Sequence, residues 1–207
     1  MTEIKAAFDK LSPELEQWVS HQLSMQELAV DSAPELKQLF AVSALLCRTV
    51  ARQPALIQDF VTGNVSQPLV PDLLGVNEAE AMRLLRQYRN AGLCRVLADD
   101  VLRAQPIATA LARVSALADA LINAAYGWAW RELAAQWGEP LAADGSVMPM
   151  LILGMGKLGG GELNFSSDID LIFIYPENGN TSGGRRSCEN QQFYTKLGQK
   201  IISLLHQ

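Results

Sequence analysis

The chain has 207 residues, of which 49% are apolar, enough to build one large or two small domains around a core. Its formal net charge of -5 argues against a sequence-independent nucleic-acid-binding surface, because such surfaces are basic. The three cysteines are far apart and have no CxxC spacing, so the sequence suggests neither a disulfide framework nor a zinc site.

The N-terminal residues carry charges where a signal peptide would have an apolar segment. No later segment approaches about 18 uncharged apolar residues in succession, the length that a membrane span needs. We therefore expect a cytoplasmic protein that is not exported and does not span a membrane.

Up to about residue 138, apolar residues recur every three to four positions, which predicts a succession of helices. Ser12-Pro13 starts the first helix and Pro34 the second. A shorter helix is predicted from Ala55 to Val61 with its end at Gly63, followed by a loop to Gly75. The second helix is expected to bury Leu36, Leu39, Phe40, Val42, Leu45 and Leu46.

Two longer helices follow. Asn77 is expected to cap one that continues to Leu102, and Pro106 starts the longest, which ends at Gly138. The tryptophans fall at helical spacings typical of a core, and they are Trp18, Trp128, Trp130 and Trp137.

From Gly138 to Ser146 the residues are small, polar and typical of turns, so we expect the architecture to change there. Met150 to Leu153 and Ile169 to Tyr175 are predicted strands, and Pro176 to Arg186 a flexible loop. An amphipathic helix then runs to the last residue, with the apolar positions Phe193, Leu197, Ile201, Ile202 and Leu205. The predicted fold is mostly α, with a C-terminal α/β part.

Two aspartates open the second predicted strand. Because successive strand residues point to opposite faces, Asp168 and Asp170 project to the same side, away from Ile169 and Leu171. Their repulsion is unfavourable at a partly buried strand end, and a divalent cation such as Mg²⁺ relieves it. A site of this kind can neutralise phosphate charge and align oxygens for in-line displacement at phosphorus.

A glycine-rich turn precedes the aspartates. Glycine lets backbone amides approach a phosphate chain that a β-carbon would obstruct, and serine hydroxyls add donors beside the metal. Nucleotide phosphates are expected at Gly156, Lys157, Gly159, Gly160, Ser166 and Ser167.

Two other phosphate-binding motifs are disfavoured. Gly154, Gly156 and Gly159 fit the dinucleotide-binding fingerprint, but only about eight residues separate Gly159 from the next strand, too few for a crossover helix. Lys157 is followed by leucine, so the turn is not a P-loop. The later pair Arg185 and Arg186 is a further option for phosphate contact.

The segment Leu151-Ile152-Leu153-Gly154-Met155-Gly156-Lys157-Leu158-Gly159-Gly160, with Ser167-Asp168-Ile169-Asp170-Leu171-Ile172-Phe173, resembles the nucleotidyltransferase motif of glutamine synthetase adenylyltransferases. These enzymes belong to the DNA polymerase beta superfamily. They carry two such domains, one that adds AMP to a tyrosine of glutamine synthetase and one that removes it. The chain resembles the N-terminal, adenylyl-removing half in Asn164-Phe165-Ser166-Ser167-Asp168, in the preceding helices and in Gly183-Gly184-Arg185-Arg186.

The resemblance implies a helical bundle over residues 1–147 and the first strands of a polymerase-beta-like nucleotidyltransferase fold over 148–207. It implies phosphorolysis, in which inorganic phosphate releases ADP from the adenylylated tyrosine. Asp168 and Asp170 would be catalytic and would carry Mg²⁺. The implied partners are glutamine synthetase, a nucleotide, inorganic phosphate and a PII-type signalling protein.

One departure concerns a third carboxylate, which members of this superfamily take from a later strand. Glu177 lies in a predicted loop and Glu189 at a helix start, so neither fits. We therefore expect an N-terminal fragment of a longer enzyme, truncated within the domain and nearly inactive alone. The alternatives are a nucleotide-sensing or regulatory module without turnover, and a small-molecule nucleotidyltransferase.

Overall fold

A computed structural model describes residues 42–64 and 66–206, together with Gln17, His21, Leu36, Leu39 and Phe40. These residues are mostly helical, with a small C-terminal α/β part, which confirms the expected fold class. Apart from Gln17 and His21, the first predicted helix lies outside the described residues, and so does Trp18.

Within 42–64 and 66–206 the chain forms six helices and four short strands. In chain order they are α1 (Ala44–Arg52), α2 (Leu56–Thr62), α3 (Glu78–Arg103), α4 (Ile107–Trp137), β1 (Glu139–Pro140), β2 (Leu151–Gly154), α5 (Gly156–Gly159), β3 (Leu171–Ile174), β4 (Thr181–Ser182) and α6 (Asn190–Leu205).

One compact unit contains the described residues up to Pro68 together with Asn90–Arg113. Its core consists of buried apolar side chains, namely Leu36, Leu39, Phe40, Leu46, Val50, Leu56, Ile57, Phe60, Ala91, Cys94 and Ala98. The second predicted helix is interrupted at Ser43, which caps α1 by accepting a hydrogen bond from the Leu46 N–H at 3.3 Å. The prediction of a buried Val42 is wrong, because this side chain is 46% exposed just before the break.

Three predicted helix boundaries are confirmed. α2 ends at Gly63, which adopts a left-handed φ of 76°. The Asn77 Oδ1 accepts a hydrogen bond from the Glu80 N–H at 3.0 Å and so caps α3. Gly138 ends α4, also with a φ of 76°.

The other unit contains Leu69–Arg89 and the described residues from Val114 onward. Its buried side chains come chiefly from α4 and α6, and the Trp130 and Phe193 rings meet edge to face with centroids 5.2 Å apart. Trp128 is buried as predicted, whereas Trp130 and Trp137 are only half-buried. The expected domain boundary between residues 147 and 148 stays a prediction.

Two antiparallel strand pairs lie in this unit. β2 pairs with β3, with Leu151 opposite Ile174 and Leu153 opposite Ile172, close to the predicted strand bounds. β1 pairs with β4, a contact that the sequence analysis missed because two-residue strands show no alternation. The loop from Pro176 to Arg186, predicted to be flexible, is therefore held by strand pairing. The Arg186 N–H also donates to the Gln136 carbonyl at 3.0 Å.

Among the described helices, only α4 is long and apolar enough to cross a membrane, with a mean hydropathy of 1.3 over 18 residues. Length and composition alone are weak evidence, because the core helix of a soluble protein passes the same test. Trp128 and Leu133 of α4 are buried within its unit. The expectation that the chain does not span a membrane stays a prediction.

Replacing Gly184 by alanine should destabilise the chain. A β-carbon there would lie 2.0 Å from the Gly138 nitrogen, so the segment that follows β4 would have to move away from the end of α4. We expect a loss of about 2 to 3 kcal/mol in the free energy of unfolding, measured by urea titration with tryptophan fluorescence.

Gly183→Ala is the matched control, because its β-carbon meets nothing within 4 Å and only its φ of 87° is unfavourable. Its expected cost is about 1 kcal/mol. Equal losses for the two variants would contradict close packing at Gly184.

Candidate functional site

The residues leading into β3 alternate between two faces. Asp168, Asp170 and Ile172 are exposed, whereas Ile169 and Leu171 are half-buried. On the inner face, the Phe173 ring lies against α6, where a β-carbon on Gly198 would be 3.5 Å from the Phe173 Cδ2. The two aspartates therefore share the outer face of the hairpin, as the period of two predicts.

Both carboxylates are more exposed than the sequence analysis expected. The prediction that they lie at a partly buried strand end is wrong, because Asp168 and Asp170 are both exposed. Within the described part of the chain, neither side chain forms a hydrogen bond or an ion pair. Water screens their repulsion, so the fold does not require a cation, and their oxygens are free to bind one.

The glycine turn lies beside the aspartates. The Met155 N–H donates to the Asp170 carbonyl at 2.9 Å and extends the β2–β3 ladder by one residue. A β-carbon on Gly159 would lie 2.5 Å from the Gly154 oxygen, so this glycine is needed to pack α5 against the end of β2. Gly156 and Gly160 are both exposed, but only Gly156 has an open backbone, because the Gly160 N–H already donates to the Gly156 carbonyl at 3.1 Å.

A small hydrogen-bond network joins the turn to the segment before the aspartates. The Lys157 ammonium donates to the Ser167 hydroxyl at 3.3 Å, and this hydroxyl donates to the Asn164 Oδ1 at 2.7 Å. The same oxygen accepts the Ser166 N–H at 3.1 Å. Asn164 thus orders both serines, a role that the sequence analysis missed although an asparagine two residues before a serine is typical of an Asx turn.

The loop between β2 and β3 is anchored to the rest of its unit. Leu158 and Leu163 are buried, and the Leu163 N–H donates to the Ser115 hydroxyl of α4 at 3.0 Å. Both ends of the loop are also fixed by the hairpin. The site is therefore held in place by the packing of its unit.

Tyrosines support the hairpin from within. The Tyr194 hydroxyl donates to the Met148 carbonyl at 2.7 Å, and its ring stacks on Tyr175 with centroids 4.6 Å apart. Burial, with smaller contributions from Tyr126 and Tyr175, raises the pKa of Tyr194 to about 12. This hydroxyl therefore stays protonated and keeps donating over the physiological range.

An apolar ridge continues the outer face beyond the aspartates. It consists of two directly opposed pairs, Leu151 with Ile174 and Leu153 with Ile172, and each of the four side chains is at least 39% exposed. Exposed apolar clusters of this kind mark contact surfaces. One face of the hairpin thus presents an acidic end followed by an apolar middle.

Among the described residues, no third acidic ligand joins the pair. Within residues 42–64 and 66–206, no group of three or more His, Cys, Asp or Glu side chains is placed to hold a metal ion. Glu189 lies in a bridge with Asn180 just before α6, and Glu177 is exposed. Arg186 lies near the Trp137 ring, and its expected phosphate contact stays a prediction.

Comparison with known proteins agrees with the motif. The family model described as glutamate-ammonia ligase adenylyltransferase matches residues 33–207. Similar relatives are named bifunctional glutamine synthetase adenylyltransferase/adenylyl-removing enzymes. The one from Shewanella loihica is 41% identical over 191 residues, covering 88% of this chain and 20% of the relative.

Two further relatives carry the same name. The Vibrio parahaemolyticus protein is 42% identical over 208 residues, covering 89% of this chain and 22% of its own length. The Alteromonas mediterranea protein is 57% identical over 129 residues, covering 62% of this chain and 13% of the relative. The chain spans about a fifth of the length of the curated relatives it matches. It therefore belongs to the glutamate-ammonia ligase adenylyltransferase family.

Proposed function

We propose that the chain is part of an enzyme that removes AMP from the adenylylated tyrosine of glutamine synthetase by phosphorolysis. The observation that carries this proposal is the shared outer face of Asp168 and Asp170, beside the glycine turn. The relatives' names, which include both adenylyl transfer and adenylyl removal, support the same class of chemistry. Nucleotide and inorganic phosphate binding, a PII-type partner and a cytoplasmic setting belong to the proposal.

The proposed reaction exchanges one phosphorus–oxygen bond for another. An oxygen of inorganic phosphate attacks the phosphorus of the tyrosine-bound AMP, and the bond from phosphorus to the tyrosine oxygen breaks. The tyrosine oxygen recovers a proton, and the AMP leaves as ADP. Negative charge on the phosphorus oxygens is the main obstacle, so groups that neutralise and orient them accelerate this step.

The residues of the site fit this demand. Asp168 and Asp170 offer free carboxylate oxygens for Mg²⁺, which when bound neutralises charge on phosphate oxygens. The exposed Lys157 ammonium and the open backbone at Gly156 can bind phosphate oxygens directly. The Ser166 hydroxyl adds a donor next to the aspartates, whereas the single O–H of Ser167 already donates to Asn164.

Asp168→Asn and Asp170→Asn, each made in a full-length enzyme that contains this chain, should reduce the phosphate-dependent release of ADP. We expect a loss of at least about 100-fold in kcat, because each variant removes a charge that would hold the metal. Thermal unfolding should change little, since both side chains are exposed and form no bond within the described residues.

Glu162→Gln is the matched control, an exposed acid in the same loop that should leave turnover unchanged. If the aspartate variants kept full turnover and altered only nucleotide binding, the chain would be a regulatory module instead of an enzyme.

Mg²⁺ or Mn²⁺ should stabilise the 207-residue chain through the two aspartates. At a cation concentration several times the dissociation constant we expect about 1 kcal/mol, or about 2 to 4 °C in Tm, by scanning fluorimetry. The double variant Asp168→Asn/Asp170→Asn should lose this shift, and sodium chloride at equal ionic strength should not produce it. A shift of the same size in the double variant would rule out cation binding by this pair.

The 207-residue chain by itself should release little or no ADP from adenylylated glutamine synthetase. The reason is that its described residues supply two carboxylates but no group of three acidic or other metal-binding side chains. Robust phosphate-dependent ADP release by this chain, followed by chromatography of the nucleotide products, would show that the pair suffices.

A further inference from the structure

A shallow groove lies between the C-terminal end of α4 and one side of α6, entirely within the second compact unit. Its volume is about 390 Å³. The lining residues are Glu78, Leu133, Gln136, Trp137, Lys196, Gln199 and Lys200. We call it the Trp137 groove.

Positive charge is concentrated at this groove, although the chain as a whole carries a net charge of -5. The Lys196 Nζ lies 5.6 Å and the Arg186 Cζ 5.9 Å from the centroid of the Trp137 ring. Within the described residues, neither cation forms an ion pair. Lys200 lies over the Trp128 ring and pairs with Glu78 at 2.8 Å, so the one acid among the described residues that line the groove is already neutralised.

These cations are positioned by the structure around them. The Arg186 N–H donates to the Gln136 carbonyl at 3.0 Å, and Gly184 packs directly on the backbone of Trp137 and Gly138. The indole restrains the Lys196 and Arg186 head groups by cation–π attraction. The two side chains therefore lose little conformational entropy when an anionic group binds, and this small loss favours binding.

We propose that the Trp137 groove binds an acidic peptide segment of the protein substrate, so this inference rests on the proposed function. Two cations already contact the Trp137 ring, so a nucleotide base would have to displace them to stack there. The guanidinium of Arg186 and the ammonium of Lys196 instead offer donors suited to carboxylates. Gln136 and Gln199 add amides that can hydrogen-bond a peptide backbone.

α6 connects this groove to the candidate site. Lys196 and Lys200 line the groove, while Gly198 lies against the Phe173 ring of β3, the strand that Asp168 and Asp170 precede. One helix thus sets the placement of the groove relative to the reacting residues. Binding energy from a contact of this kind, remote from the reacting bond, selects one tyrosine of a folded protein over others.

Charge reversal tests the proposal in the full-length enzyme. Lys196→Glu should raise the Kd for adenylylated glutamine synthetase about tenfold, measured by surface plasmon resonance, and weaken its dependence on salt. KM for this protein should rise in parallel, with kcat nearly unchanged. For a short adenylyl-tyrosine peptide that lacks acidic residues, KM and kcat should both stay as in the wild type.

Arg86→Glu is the matched control, an exposed cation outside the groove that should leave the Kd unchanged. Lys196→Arg should keep the wild-type Kd, and an unaltered Tm should show that Lys196→Glu is folded. An unchanged Kd of Lys196→Glu for the protein substrate would overturn the proposal.

An equally large rise in KM for the short peptide would also overturn the proposal, because it would indicate a site for nucleotide or phosphate. The Kd does not depend on turnover, so these outcomes stand apart from a failure of the proposed function, which would show as a wild-type enzyme that binds the protein but releases no ADP.

Discussion

The packing of α6 is the interaction on which the second unit depends, because this helix meets α4 through Phe193 and Trp130 and the inner face of the β2–β3 hairpin through Gly198 and Phe173. Phe193, Leu197 and Ile201 are completely buried along one side of this helix. Burial of each such side chain contributes about 1.5 to 3 kcal/mol, far more than any polar contact of the candidate site. Because the inner face of the hairpin is committed to α6, Asp168 and Asp170 on the outer face remain available for chemistry.

Much of this arrangement could be predicted because it follows from short-range periodicity. The ends of α2, α3 and α4 carry local signals, namely Gly63, Asn77 and Gly138, and each is where the pattern places it. The common face of the two aspartates follows from the strand period alone. Long segments with a regular spacing of apolar residues are the elements that a sequence predicts best, and α3 and α4 are of that kind.

The remaining features depend on contacts between distant residues, which no local pattern reports. The β1–β4 pair joins residues about 40 positions apart, and neither strand is long enough to show alternation. The break at Ser43 has a capping signal, but the apolar residues on both sides of it masked the signal. The exposure of the aspartates and the half-burial of Trp137 depend on how α6 and the segment that follows β4 pack, which hydrophobicity cannot reveal.

The outer face of the hairpin also bears on how the chain behaves at high concentration. Proteins aggregate through features such as its four exposed aliphatic side chains and its outer strand edges, which pair with no strand among the described residues. The carboxylates at one end of the same face oppose the association of two copies by charge repulsion, as gatekeeper residues do beside aggregation-prone strands. The acidic pair therefore also limits self-association, and a chain that lost both charges would precipitate more readily than one that kept them.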